Sequence, residues 1–178
     1  MSNPLIIQAK YDSLKEGYPV FINTDDIRAF TVLSTSAGIP VGSLLARTTA
    51  TKVYEAAQNL AAGVITSAAQ IVGVAMATNV KLNTTFPGGT GTVISYDGGQ
   101  QGDNMSKGEV AVQFVGAAPL ENSAVFIVTD NGDQPASTLG RVTADAAVGT
   151  ETLLALPQFV FSGITDVATS LTVLKKLY

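Results

Sequence analysis

The residues of this sequence that could do chemistry are carboxylates, serines, lysines and tyrosines, and the carboxylates are the ones that cluster. Asp25 and Asp26 are adjacent, and Asp130 and Asp133 flank Asn131-Gly132. Paired carboxylates can divide general acid and base roles, or together ligate a cation. Adjacent acids in a turn more often cap backbone N–H groups or face solvent, which is the expectation for Asp25 and Asp26. The DNGD stretch shares part of a calcium loop but lacks the alternating Asp/Asn ligands and closing Glu of an EF-hand, so a turn is expected there. The chain has no histidine, cysteine or tryptophan. Histidine-based triads, thiol nucleophiles, zinc sites and disulfides are therefore out of reach. GGTGTV, residues 88–93, has the glycines of a phosphate loop without the lysine or the strand–loop–helix frame a Walker motif requires. The expectation is no catalytic, cofactor or metal residue, and no enzyme.

The elements that would have to position such residues look β-rich. At 178 residues the chain suits one hydrophobic core and is short for two. Hydrophobic residues make up 46% and charged residues 13%, against about 25% charged in an ordinary globular chain. This is not a disordered composition. Apolar runs are broken well before the roughly 18 residues of a spanning helix, so no membrane partner is expected. The net charge is −4, with no basic run beyond Lys175-Lys176. Without a basic footprint to neutralise phosphates, nucleic acid is not an expected partner. MSNPLIIQAK lacks the basic and long apolar regions of a signal peptide, so synthesis in a cytoplasm is expected. A surface so poor in charge is either covered by partners or built from Ser, Thr, Asn and Gln, which the chain also has in quantity.

Residues 1–19 read as an N-terminal arm, with Leu5, Ile6 and Ile7 as an apolar patch before Gly17 and Pro19. Such an arm adds a strand to a neighbour's sheet, or serves as the first strand of its own. Residues 20–178 read as a single β-rich domain. VFINTDDIRAFTVL gives two short strands about a turn at 23–26, and both faces of the second carry apolar residues. GIPVGSLLART is a turn leading into a strand. Residues 52–62, rich in alanine, are the best helix candidate, a strand over 52–56 being the alternative. IVGVAMA reads as a buried strand with a glycine at a bulge or close crossing. Residues 83–107 read as a Gly-rich projecting loop with a short strand at 92–96, and its aromatics Phe86 and Tyr96 touch a partner or pack back on their own barrel. GEVAVQFVG puts Val110, Val112 and Phe114 on one side. Asn131-Gly132 favours a tight type I′ hairpin. PQFVFSG and SLTVLKKLY read as closing strands, with a lysine of the second blunting a sheet edge. The fold class is mainly β: a small antiparallel barrel or sandwich with an extended arm and at most one short helix.

Four stretches in order carry a resemblance: GIPVGSLLARTTATKVYEAA, IVGVAMATNVKL, GEVAVQFVGAAPLENSAVFIVTDNGDQPASTLGRVTAD and FVFSGITDVATSLTVLKKLY. They resemble, from residue 38 to the C-terminus, the structural cement or capsid decoration proteins of tailed bacteriophages. The shared pattern is glycine-led strands, an Asx–Gly turn and a closing strand pair. The resemblance implies a virion protein on the outer capsid surface that clamps neighbouring major capsid proteins and has no active-site chemistry. It implies the major capsid protein as a partner, and the low-charge surface adds the chain itself, as dimer or trimer. Leu5, Ile6, Ile7, Phe86 and Tyr96 are the expected contact residues. A tail-tube or head–tail joining protein is the alternative. A carbohydrate-binding module stands further off, since the chain lacks tryptophan and its tyrosines are scattered.

Overall fold

The computed structural model describes residues 14–21, 27–47, 52–77, 95–146 and 149–178. Among them run thirteen strands: β1 (Pro19–Phe21), β2 (Ile27–Val32), β3 (Ile39–Pro40), β4 (Leu44–Arg47), β5 (Val53–Ala56), β6 (Ile71–Ala75), β7 (Ser95–Tyr96), β8 (Gln101–Met105), β9 (Gly108–Gln113), β10 (Ala124–Asp130), β11 (Val142–Thr143), β12 (Thr152–Asp166) and β13 (Leu171–Lys176). Helical structure in these segments is confined to 3-10 turns at Ala57–Asn59, Ala68–Gln70 and Ala136–Thr138. The mainly β expectation holds. A closed barrel runs β2-β5-β4-β6-β8, and a six-stranded sheet runs β1-β9-β13-β12-β10-β11. Strands β3 and β7 form a separate pair. The ladders are antiparallel except β2 with β5.

Side-chain alternation explains why so many strands are apolar on both faces. Along β4, Leu45 joins a cluster within the barrel with Phe30, Val32, Ile39 and Tyr96. Its neighbours Leu44 and Ala46 face the other way, into a cluster shared with Val110, Val112, Phe159, Phe161 and Leu174 of the sheet. The barrel wall is thus buried on its inner face by its own core and on its outer face by the sheet. Fully burying one such Leu or Phe contributes about 1.5–3 kcal/mol.

Strand β6 holds its place by a bulge. Leu45 pairs with Gly73 but Ala46 pairs with Ile71, so Val72 is the extra residue. The insertion resets the alternation, and Ile71 and Val74 both reach the shared cluster. Gly73 is required here: a Cβ would strike the Asn104 side chain and the Met105 carbonyl on β8.

Several expectations change. Residues 52–62 are not an α-helix; the alternative strand forms instead, followed by the 3-10 turn. Lys52 turns the chain at φ 59°, and Val53–Ala56 pairs along β4, with Tyr54 opposite Arg47; barrel pairing overrides alanine's helix propensity. Residues 101–105, expected in a projecting loop, are barrel strand β8, registered against β2 from Ile27↔Met105 to Thr31↔Gln101. Asn131-Gly132 does not make a two-residue hairpin: β10 returns to β11 through residues 131–141, with the 3-10 turn inside. Strand β13 is no edge, because it lies between β9 and β12. The chain is also built into the fold before residue 19. Gly17 N–H donates to the Ala111 carbonyl at 2.7 Å, and the Gly17 carbonyl accepts from Ala77 N–H at 2.8 Å. Gly17 has φ 74°, and a Cβ there would collide with the Val41–Gly42 backbone.

Candidate functional site

Of the five expected contact residues, Leu5, Ile6, Ile7 and Phe86 lie outside the described residues. Tyr96 is described, and its geometry corrects the expectation of a partner contact. It is 1% exposed and lies edge-on to Phe30 at 5.8 Å between ring centroids. Its hydroxyl donates to the Met76 carbonyl at 2.6 Å. The ring fills the barrel, so it has no face to offer another molecule.

The carboxylates divide as follows. Asp25 and Asp26 lie outside the described residues. Asp130 Oδ1 accepts from Gly132 N–H at 3.0 Å, an Asx turn. The Asp133 carboxylate accepts the Thr150 hydroxyl, and this bond above all holds its pKa below the ordinary value. Among the described residues no group of three or more acidic, histidine or cysteine side chains is placed to hold a metal. Glu55, which no sequence motif singles out, is 4% exposed. Its Oε1 accepts from Ser36 Oγ at 2.7 Å, Asn59 Nδ2 at 2.8 Å and Ala56 N–H at 2.8 Å. That carboxylate pins the turn after β2 to strand β5.

Two surface features stand out. The first is a groove of about 710 Å³ where the barrel wall meets the sheet. Arg28, Arg47, Lys107 and Lys176 line it, with Tyr54 and Tyr178 among the walls. Four of the ten lysines and arginines therefore share one groove, and its described lining contains no Asp or Glu. No sequence motif signals this, because strand register alone gathers positions 28 to 176: Arg28 stands opposite Asn104, and Arg47 opposite Tyr54. At the floor, Lys176 Nζ donates to the Val72 carbonyl at 2.5 Å, and Gln158 Nε2 donates to the Ala68 carbonyl at 3.1 Å. The bulge residue's carbonyl thus receives its donor from the sheet. Burial first, then the Arg28 charge, holds the Lys176 pKa below its ordinary value.

The second feature is an apolar tip. Leu120 is 77% and Val167 69% exposed, near the β12–β13 turn. The loop carrying Leu120 is tied to β12 by Asn122 N–H on the Phe161 carbonyl at 2.9 Å.

The groove and the tip are the surface features of the described residues; a family comparison places the chain as a whole. A family model described as structural cement protein (E217 gp24/Pam3 gp6) matches residues 7–175. The chain belongs to the phage structural cement family. Its role is structural, within the phage capsid. The match begins well before residue 38, where the resemblance legible in the sequence starts, and so takes in most of the expected arm. A chain of a solved structure titled "The capsid of Myoviridae Phage XM1" shares the cement protein's fold, with a TM-score of 0.61 and 16% identity over 98% of this chain and 97% of that one. No curated protein matches.

Proposed function

We propose that this cement protein seats on the outer surface of the phage capsid and clamps neighbouring major capsid proteins. The observation that carries the reading is the family match over residues 7–175. The physical mechanism is linkage: a protein that binds the assembled lattice, and not separated subunits, stabilises the lattice by mass action. An oligomer, dimer or trimer, gains further, because each added foot binds at the effective concentration set by the first. A surface with so few charges is consistent with such coverage.

The chain acts without catalysis, binds neither nucleic acid nor membrane, and is made in the host cytoplasm before joining the virion. Leu5, Ile6 and Ile7 anchor the arm on a capsid protein or sister subunit, with backbone hydrogen bonds supplied by strand addition. Phe86 is the remaining aromatic contact.

Co-sedimentation with expanded and unexpanded shells, followed by cryo-electron microscopy, tests this. Density at fixed lattice positions on expanded shells alone is the expected result. Binding to neither shell would overturn the reading in favour of a tail-tube or joining protein.

A further inference from the structure

We propose that the groove between barrel and sheet receives an acidic segment of a capsid protein, whose carboxylates are held by Arg28, Arg47 and Lys107. The inference rests on the cement reading and adds the chemistry of the partner.

Charge complementarity is the first support. The chain carries −4 overall, yet four of its ten cations line this groove and no described lining residue is acidic. Like charges gathered with no anion among the described lining repel one another, and an incoming carboxylate relieves that repulsion. Burial first, and the Arg28 charge second, hold the Lys176 pKa below its ordinary value, so the geometry of the four cations and not this shift carries the point.

The second support is availability. Among the described residues the ion pairs are Arg141 with Glu16 and Lys175 with Glu109. Arg28, Arg47 and Lys107 take part in neither, and all three are exposed.

The third is the kind of anion the walls suit. Planar guanidinium forks grip carboxylates through two parallel hydrogen bonds. Tyr54, Ile71, Pro157 and Tyr178 add apolar surface between the cations. A peptide alternating acidic and apolar side chains satisfies both. A nucleic-acid strand meets a net negative protein beyond the groove, which disfavours a long polyanion.

The test uses the full chain and a triple variant, Arg28→Gln, Arg47→Gln and Lys107→Gln. Lys176 stays, because its ammonium ties β13 to the bulge of β6. A fluorescent peptide alternating Glu and Val is the probe, a Lys–Val peptide of equal length the control, and oligothymidylate the competitor. The expected result is binding of the Glu–Val peptide alone, weakened by salt. The triple variant, with unchanged circular dichroism, should bind it about tenfold more weakly and occupy expanded shells less. If the triple variant does not fold, Arg47→Gln at the exposed end of β4 is read in the same way. Equal shell occupancy by wild type and folded variant overturns the groove inference and leaves the cement reading standing. Failure of the wild type to bind any shell overturns both. Displacement of the peptide by oligothymidylate at lower concentration overturns the assignment to an acidic peptide.

Discussion

At the scale of single residues, the informative groups are buried polar ones. The Tyr96 hydroxyl donates to the Met76 carbonyl, deep in the barrel. Tyr96→Phe removes that donor from a place water does not reach. It should cost about 1–3 kcal/mol, read as a lower midpoint in urea. Glu16 offers a pH signature. Its carboxylate meets Arg141 at 3.1 Å, yet burial outweighs that partner and raises its pKa above the ordinary 4.5. The folded state therefore binds this proton more tightly than the unfolded state does. The contribution is fully present below pH 4.5 and is lost as pH rises through the raised value. Arg141→Gln removes both influences that lower the pKa, so the loss should extend to higher pH. Glu16→Gln should abolish that limb of the melting-temperature profile. An unchanged profile in Glu16→Gln would show that another group sets it.

Among the elements, the sequence was legible where alternation and glycine agreed. IVGVAMA reads as a buried strand with a glycine at a bulge or close crossing, and β6 has a bulge at Val72 and a close approach to β8 at Gly73. Val110, Val112 and Phe114 lie together in the shared cluster, as their spacing requires. The illegible parts depend on distant partners. Glycine and polar residues in QGDNM hide β8, whose strand character comes from pairing with β2 and β6. The cationic groove was unreadable for the same reason, since Arg28 and Lys176 meet only after the sheet has formed against the barrel. Gly17 belongs to the fold, since its two backbone hydrogen bonds stitch β9 to the segment after β6. Removing residues 2–10 should weaken shell binding and leave the thermal midpoint unchanged. Removing residues 2–18 should also lower the midpoint by several degrees, through loss of the Gly17 bonds and the Glu16–Arg141 pair, as calorimetry would record.

For the whole molecule, the barrel and sheet share a core. Leu44, Ile71 and Met105 of the barrel join Val112, Phe161 and Leu174 of the sheet in one cluster. Neither layer can open without exposing the other, so unfolding should be a single transition with matching calorimetric and van't Hoff enthalpies. Two resolved transitions would mean that the seam contributes little. Phe161→Ala, at 0% exposure, should cost about 3–5 kcal/mol and lower that one transition as a unit.

The position of β13 has a consequence for synthesis. It is the last strand described, yet it sits between β9 and β12, pairing with Gly108–Gln113 on one side and with β12 on the other. A nascent chain that has not yet released Lys176 from the ribosome has a slot in mid-sheet, and β1 and β9 are cut off from β12. The molecule therefore completes its sheet only after translation has passed that point, through a long-range pairing of β13 with β9. An unfinished chain lacks the Lys176 tie to the Val72 carbonyl and part of the groove's lining.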